Sequence, residues 1–421
     1  MVSNYNIISE MDNSIYVFNT LKGSFFRIDQ QYIHEFRNVV NNEIIESKMQ
    51  EFLWQKGFFV ESKEKEQEEF SHLENDILED GNQMTLIILP TEKCNFRCEY
   101  CYEDKKSGSM TSEDIEKLLQ FVEENIVHYS SLNVEWFGGE PLVAQSVINE
   151  ISLALIKICN ENKKPYSASM TTNGYYLTAK KVAELKKLRV IRYQITLDGM
   201  SETHNNLRFL SNHNGTWEVI VKNLQDIRDT VKSSIISIII RTNLTREIYN
   251  NIKEYISFVK KEFGMDNRFS FLFRIASDWG GEIKDNVRSS FIGKEEYINV
   301  IRIALKENLK LHYFKSVLKP GGLLCYAWKK GTYIVNPKGE FVRCTIKINE
   351  KYNVEKERKE EYYLKGHPKQ CITCNKLPVC LKVNCNFSNN LDAACEYDIE
   401  KLEELLPLLA TKYYGCQVYE G

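Results

Sequence analysis

Three cysteines offer the most specific chemistry in this chain. They lie in the stretch Thr91-Glu-Lys-Cys-Asn-Phe-Arg-Cys-Glu-Tyr-Cys-Tyr102, spaced C-x-x-x-C-x-x-C at Cys94, Cys98 and Cys101. An apolar run, Met84 to Leu89, precedes them and stops at Pro90, so they fall on a loop at the end of a predicted strand. A loop there can turn all three thiolates onto one iron–sulfur cluster. Four-iron clusters take four ligands, usually four cysteines. Three cysteines leave one iron for another ligand. Zinc is the rival reading, but zinc sites pair C-x-x-C units or add histidine, and no histidine lies near this loop. A set of buried free thiols is the third.

The rest of the chain must position this loop. From residue 82 onward, predicted strands alternate with helices. The strands are Met84–Leu89, Leu132–Phe137, Tyr166–Thr171, Ile191–Leu197, Ile235–Ile240 and Phe269–Ile275. A capping signal at Thr111 and Asp114 opens the first helix, which places Ile115, Leu118, Leu119, Val122 and Ile126 on one face. Such alternation predicts an α/β fold with a parallel sheet and right-handed crossovers. Chemistry in barrels of this kind gathers at the carboxy ends of the strands. The polar clusters fall there: Gly138-Gly-Glu-Pro141, Thr171-Thr-Asn-Gly174, Thr196-Leu-Asp-Gly199 with His204 and Arg208 beyond, and Arg241-Thr-Asn243.

The cysteine loop, with Tyr100 before its last cysteine, and the Gly-Gly-Glu-Pro turn after the second strand resemble the radical S-adenosylmethionine (SAM) family. That resemblance implies a partial (β/α)6 TIM barrel spanning 82–310. It implies that SAM chelates the open iron of a cluster held by Cys94, Cys98 and Cys101 and is cleaved to a 5′-deoxyadenosyl radical. It also implies SAM contacts from Tyr100, Gly138, Gly139, Glu140, Asn173, Thr196 and Arg208. Thr196 and Arg208 match the offset of the hydroxyl and the arginine that hold the SAM carboxylate in sulfatase-maturing relatives. His204 could carry a proton near neutral pH but receives no role, since a structural or solvent-facing histidine is more common; Asp278 and Trp279 follow the sixth strand, where substrate could lie, and nothing further in the sequence selects them.

The chain holds twelve cysteines, too many for a reducing compartment unless most bind metal. After residue 315 they recur as Cys325-x13-Gly339-x4-Cys344, then Cys371-x2-Cys374-x5-Cys380, then Cys385 and Cys395. This resembles the SPASM extension of radical SAM enzymes, here over 315–421, which carries two auxiliary iron–sulfur clusters. By position one would take Cys371, Cys374, Cys380 and Cys395, the other Cys325, Cys344 and Cys385. The resemblance therefore implies three 4Fe-4S clusters in all. Two departures stand out. Four residues separate Cys380 from Cys385 where the family has three, and no cysteine between Cys159 and Cys325 supplies the second set's fourth ligand. Cys416 is a candidate, though near a chain end that is often mobile. A substrate thiolate is another.

Residues 1–75 read as a separate unit. Ile15–Phe18 and Phe25–Ile28 form a predicted hairpin, helices follow over Gln30–Asn41 and Ile44–Lys56, and Phe58–Val60 reads as a strand. The order resembles a winged-helix-like precursor-recognition domain of peptide-modifying enzymes, which would bind the leader of a ribosomally made precursor. A DNA-binding winged helix would want a basic second helix, and this one carries Glu46, Lys48 and Glu51, with Glu43 just before it. Glu61–Asp80 reads as a solvated linker or exposed helix.

Net charge is −3, which suggests neither nucleic acid nor membrane surface as a partner. No apolar run approaches the length of a membrane span, and no secretion signal is visible at the start, so a cytoplasmic protein is expected. Together these readings predict a radical SAM peptide maturase with flavodoxin or ferredoxin as reductant, most specifically a thioether-forming one. The alternatives are a formylglycine-generating sulfatase-maturing enzyme, a maturase forming carbon–carbon or carbon–oxygen cross-links, or a non-catalytic iron–sulfur peptide-binding or electron-carrier protein.

Overall fold

The computed structural model describes residues 1–43, 46–103, 108–278, 285–312, 314–352, 358–383, 401–412 and 415–421. These form two compact units, each assembled from separated stretches of chain. One takes Met1–Asp80, Tyr313–Lys329 and Arg358–Gly421; the other takes Gly81–His312 and Lys330–Glu357.

The first unit opens with three antiparallel strands, β1 (Asn6–Met11), β2 (Ser14–Asn19) and β3 (Ser24–Ile28). Asp12 and Asn13 join β1 to β2 at φ +52° and +56°, the left-handed turn that matches strand twist. Helices Ile33–Val40 and Lys48–Gln55 follow, and Gly57 at φ +74° ends the second. The predicted strand at Phe58–Val60 is only an isolated bridge, Val2 to Phe59. β1 lacks a clear sequence signal because its burial is irregular and half its residues face water.

Glu61–Asp80 departs most from expectation. It is a helix over Lys63–Glu79, opened by the Ser62 hydroxyl accepting from Lys65 N–H, and one of its faces is buried. Phe70 and Leu78 enter a core with Tyr5, Leu21, Trp328 and Tyr362, the last two from later stretches of the chain. Glu66 and Glu74 lie on the buried face, 2% and 6% exposed. Each is paired. Glu66 accepts from the Ser3 hydroxyl at 2.5 Å and Asn4 N–H at 3.0 Å, and Glu74 from the Tyr362 hydroxyl and His367 Nε2, both at 2.8 Å. Charge counting reads such a helix as solvated because its hydrogen-bond partners are remote in sequence.

The second unit is built on parallel strands β4 (Gln83–Ile88), β5 (Ser131–Trp136), β6 (Tyr166–Thr172), β7 (Val190–Thr196), β8 (Ser237–Leu244) and β9 (Phe269–Ile275). Two further strands extend the β4 edge: β10 (Thr332–Val335), parallel to β4, and β11 (Phe341–Val342), antiparallel to β10. Helices connect the parallel strands, as in a six-unit (β/α) barrel. The capping box at Thr111 and Asp114 is formed. Helix Gln145–Glu161 and the turn before it are long and apolar enough to cross a membrane, against the sequence expectation. Ile148, Ile151, Leu155 and Cys159 are buried along it, the pattern of a core helix whose apolar face was counted together with its polar one.

Each strand alternates. Leu86, Val134, Met170, Tyr193, Ile240 and Phe271 are at most 2% exposed. The opposite face carries Asn133, Glu135, Ser169, Arg192, Arg241 and Arg274. A closed barrel fills its interior with branched apolar side chains. This inner wall is mostly polar, with Ile87 and Leu272 on it in register with Glu135 and Arg241, and it suits a ligand rather than a packed core.

Candidate functional site

Cys94, Cys98 and Cys101 lie on the loop that leaves β4, each half-buried. The loop is fixed by the turn after β5. Gly139 N–H donates to Thr91 O at 3.2 Å and Glu140 N–H to Lys93 O at 3.0 Å. Gly138 sits at φ +107°, and a Cβ there would come within 2.6 Å of Thr91 O; at Gly139 it would come within 2.4 Å of Glu92 O. The two glycines are therefore required by the backbone of the cysteine loop itself.

The Glu140 carboxylate is fully buried and bridges to the end of β6. Oε1 accepts from the Thr172 hydroxyl at 2.7 Å and Leu142 N–H at 3.0 Å, and Oε2 accepts from Asn173 N–H at 2.7 Å. Burial raises its pKa, and these donors pull it partly back. Asn173 carries the link onward, its Nδ2 donating to Asn95 Oδ1 at 2.8 Å and lying 4.0 Å from Cys94 Sγ. Phe96 N–H approaches the same sulfur at 3.4 Å.

On the other side of the loop, Tyr100 joins the ends of β7 and β8. Its hydroxyl donates to Asp198 Oδ2 and accepts from Arg208 Nη1 at 2.8 Å and Asn243 Nδ2 at 3.1 Å. Asp198 is fully buried, and its Oδ1 accepts from Asn243 N–H at 2.7 Å. Burial raises the Asp198 pKa, opposed by the Arg208 guanidinium. Burial also pushes the Tyr100 phenol well above its usual value, so it stays protonated and donates. Arg208 is 7% exposed, stacks over the Phe96 ring at 5.6 Å and feels the charge of Cys98. Its Nε is buried with no hydrogen-bond partner among the described residues; Asp198 Oδ2 stands 4.0 Å away. Thr196 ends β7, 8% exposed, paired in register with Arg241.

His204 holds this corner from behind. Its Nδ1 accepts from Asp198 N–H at 3.1 Å. Its Nε2–H therefore faces the Thr216 hydroxyl at 3.1 Å, which in turn donates to Arg208 O at 2.7 Å. Burial, then Arg208, hold its pKa well below the ordinary value, so the ring is neutral. His204 is thus a brace, as the structural reading of the sequence has it.

The residues fit an iron–sulfur cluster with SAM beside it. Three thiols share one loop, backbone N–H approaches one sulfur, and a charged guanidinium near Cys98 has a buried donor to spare for a carboxylate. Among the described residues no three His, Cys, Asp or Glu side chains are grouped closely enough to share one metal ion. Cysteines of a four-iron cluster each bind a separate iron and stand wider apart than the ligands of one zinc.

Two of the later cysteines, Cys385 and Cys395, lie outside the described residues, as does Trp279. Cys325, Cys371, Cys374 and Cys380 belong to the first unit and Cys344 to the second. Cys371 and Cys374 pack against the core that holds Phe70 and Trp328. Cys416 is held in a strand paired with β3, with Arg27 and Asp29 near it, and burial pushes its thiol up to about 11. It is not on a free chain end.

A profile described as the Radical SAM superfamily matches residues 88–258. The chain carries a radical SAM domain. The radical SAM cyclopropyl synthase TigE of Paramaledivibacter caminithermalis is 28% identical over 243 residues, 53% of this chain and 49% of that protein. GTP 3′,8-cyclase of Campylobacter fetus subsp. fetus is 35% identical over 121 residues, 28% of this chain and 35% of that enzyme. The chain thus spans about half or less of these two relatives. Among solved structures, anSMEcpe with bound AdoMet and Cp18Cys peptide superposes with a TM-score of 0.61 at 17% identity, covering 78% of this chain and 97% of that one. Streptococcus suis SuiB bound to precursor peptide SuiA gives 0.50 at 17% identity, covering 92% and 95%. At these identities the structures establish a shared radical SAM fold.

Within that domain the structure brings Tyr100, Gly138, Gly139, Glu140, Asn173, Thr196 and Arg208 to the cysteine-loop end of the sheet. Sequence reasoning passed over Asp198, the carboxylate that ties Tyr100 to β8. Its signal was its place at the carboxy end of β7, directly after the apolar Ile195-Thr-Leu run.

Proposed function

We propose that this protein is a radical SAM enzyme that modifies a ribosomally made precursor peptide, most specifically by joining a cysteine sulfur to carbon. The observation that carries the reading is the buried Arg208–Tyr100–Asp198–Asn243 network beside the cysteine loop, at the rim of a polar inner wall. Cys94, Cys98 and Cys101 would hold the cluster, and Arg208 Nε, the guanidinium donor left without a partner among the described residues, would be available to the SAM carboxylate. When bound, the cluster and SAM supply a carbon radical able to abstract hydrogen. The protein's own groups do the rest. Gly138 and Gly139 let the loop backbone close, Glu140 and Asn173 fix its Cys94 side, and Tyr100 and Asp198 hold the guanidinium in place. The inner wall orients the substrate.

Peptide as substrate is supported by the structural neighbours, one solved with Cp18Cys peptide and the other with precursor peptide SuiA. Residues 1–75 are proposed to bind the leader, Cys371, Cys374, Cys380 and Cys395 one auxiliary cluster, and Cys325, Cys344 and Cys385 a second. With three cysteines in that second set, a substrate thiolate has a place as fourth ligand, which favours thioether formation. We propose a cytoplasmic enzyme reduced by flavodoxin or ferredoxin. The similarity to TigE favours a second product, a carbon–carbon ring.

Replacing Cys94, Cys98 and Cys101 together by Ala is expected to abolish 5′-deoxyadenosine formation while iron bound to the later cysteines remains. Undiminished 5′-deoxyadenosine would overturn the assignment. Incubation with a candidate precursor, followed by mass spectrometry, separates the products. A thioether requires cysteine and blocks its alkylation, whereas a carbon–carbon ring forms equally on a cysteine-free peptide.

A further inference from the structure

The sheet of the first unit ends at β3, and that edge is covered by the chain's own segment 415–421. Cys416–Val418 runs parallel to β3, with Cys416 beside Phe25, Gln417 beside Phe26 and Val418 beside Arg27. Tyr419 N–H adds a bond to Arg27 O at 3.1 Å. Past that point one side chain does the anchoring. Tyr419 is 6% exposed and belongs to the unit's core, its ring centroid 4.9 Å from that of Tyr32 and 5.1 Å from that of Phe52. The Tyr32 hydroxyl donates to Glu420 O at 2.8 Å. Gln417, Val418, Glu420 and Gly421 are exposed.

This is how a sheet edge receives a separate peptide: main-chain pairing for affinity, and a pocket for one side chain. The contacts are backbone groups and a single ring, which any extended peptide with an aromatic residue at the right register can reproduce. The pairing is also suited to exchange. It is short, it lies at an edge, and it is parallel, the less stable arrangement per residue. We propose that segment 415–421 is a resident, competing occupant of the β3 edge and the Tyr419 pocket, to be displaced by an extended peptide bearing an aromatic anchor. The proposal rests on the reading of this protein as a peptide-handling enzyme. It adds that a peptide docking here must first displace the chain's own strand. An exposed edge is otherwise a template for unwanted pairing, so the contrary outcome is a permanent cover.

The test uses a fluorescent peptide of sequence Gly415–Gly421 carrying C416S to prevent disulfide exchange, read by anisotropy against full-length protein. The Tyr419→Ala chain, its resident anchor removed, is expected to bind the peptide at least tenfold more tightly than the unmodified chain. The same peptide with Tyr419→Ala is expected to lose at least tenfold. Hydrogen exchange on the unmodified chain supplies a second arm that needs no variant. Amides of Gln417, Val418 and Tyr419 should exchange faster than those of β2, and excess peptide should leave β3 amides protected while those of the displaced segment become labile. Absence of binding to a Tyr419→Ala chain with unchanged circular dichroism overturns the proposal, as do segment amides as slow as β2. Should that variant fail to fold, the exchange arm decides. Peptide exchange without SAM cleavage would count against the proposed function and leave this site standing.

Discussion

Two histidines illustrate how far a residue's role depends on partners that the sequence does not display. His204 is buried, neutral and accepting at Nδ1 from Asp198 N–H. Its folded pKa is depressed, so its contribution to stability is present above the ordinary histidine value of about 6.5 and is lost as pH falls below it. His367 faces acceptors at both nitrogens, Glu74 and Lys382 O, and its pKa is raised: burial works against the charge, and the Glu74 and Lys382 bonds outweigh it. Its contribution is present below that same value and is lost as pH rises through the folded pKa. Thermal unfolding followed from acid to mildly alkaline pH should show both signs. His204→Asn should flatten the acid limb, whose slope for one proton is about 1.4 kcal/mol per pH unit, and His367→Gln should flatten the alkaline one. A variant that lowers stability uniformly at all pH would contradict the linkage. Glu140 gives a third test. In Glu140→Gln, one donor of the new amide must face either Asn173 N–H or the Thr172 and Leu142 donors, leaving buried groups unpaired. Urea unfolding should report a loss of about 1–3 kcal/mol. Cys94, Cys98 and Cys101 stand out as candidates by their spacing, and Arg208 by an offset that resembles a known family's. Asp198 does not, since its partners Tyr100 and Asn243 meet it only in the fold.

At the scale of elements, the parallel strands were legible to within a few residues, because alternation and capping are local. β8 was displaced. Its apolar run begins at Ile235, but Ile235 is 54% exposed and the strand instead continues through Arg241-Thr-Asn243. A strand that ends at a polar site loses its hydrophobic pattern where it matters most, so periodicity under-reads it. The Gly-Gly-Glu-Pro turn was legible as a motif, while its reason was not. Ligand approach was expected of its glycines, and the structure adds the close passage of the cysteine-loop carbonyls. Gly139→Ala should therefore displace that loop, at a cost of about 1–3 kcal/mol for the overpacking, and depress both iron bound by Cys94, Cys98 and Cys101 and 5′-deoxyadenosine yield. Gly108→Ala, where an added Cβ meets nothing within 4 Å, is the matched control and should be silent in iron content and turnover.

At the scale of the molecule, the unexpected result is how the first unit is assembled. Residues 1–80 share their core with 314–329 and 358–383, through Phe70, Trp328, Tyr362 and Leu377, and through the buried carboxylate of Glu74. Sequence patterns run along the chain and cannot register a core shared between its two ends. One consequence is that residues 1–75 are not a detachable module. A chain beginning at residue 81 would expose this core and take the Glu74 carboxylate away from Tyr362 and His367. We expect it to lose iron bound by Cys371, Cys374 and Cys380, while Cys94, Cys98 and Cys101 still take up a cluster. Iron analysis of the truncated chain checks this, and full retention at the later cysteines would show that their fold is independent of Glu74 and Phe70. Leader binding is better probed by point changes on β1 and β3 than by deletion.

Shared construction also sets a timetable. On the ribosome the first 80 residues emerge with Phe70, Leu78 and the Glu74 carboxylate lacking the partners that come later in the chain, and the segment that supplies Tyr362 and His367 follows on the order of tens of seconds later at ordinary rates of synthesis. The second unit can fold in that interval. The nascent amino-terminal stretch must meanwhile be kept from aggregating, so chaperone dependence during translation should map to the region made first and be relieved only when the last-made region arrives.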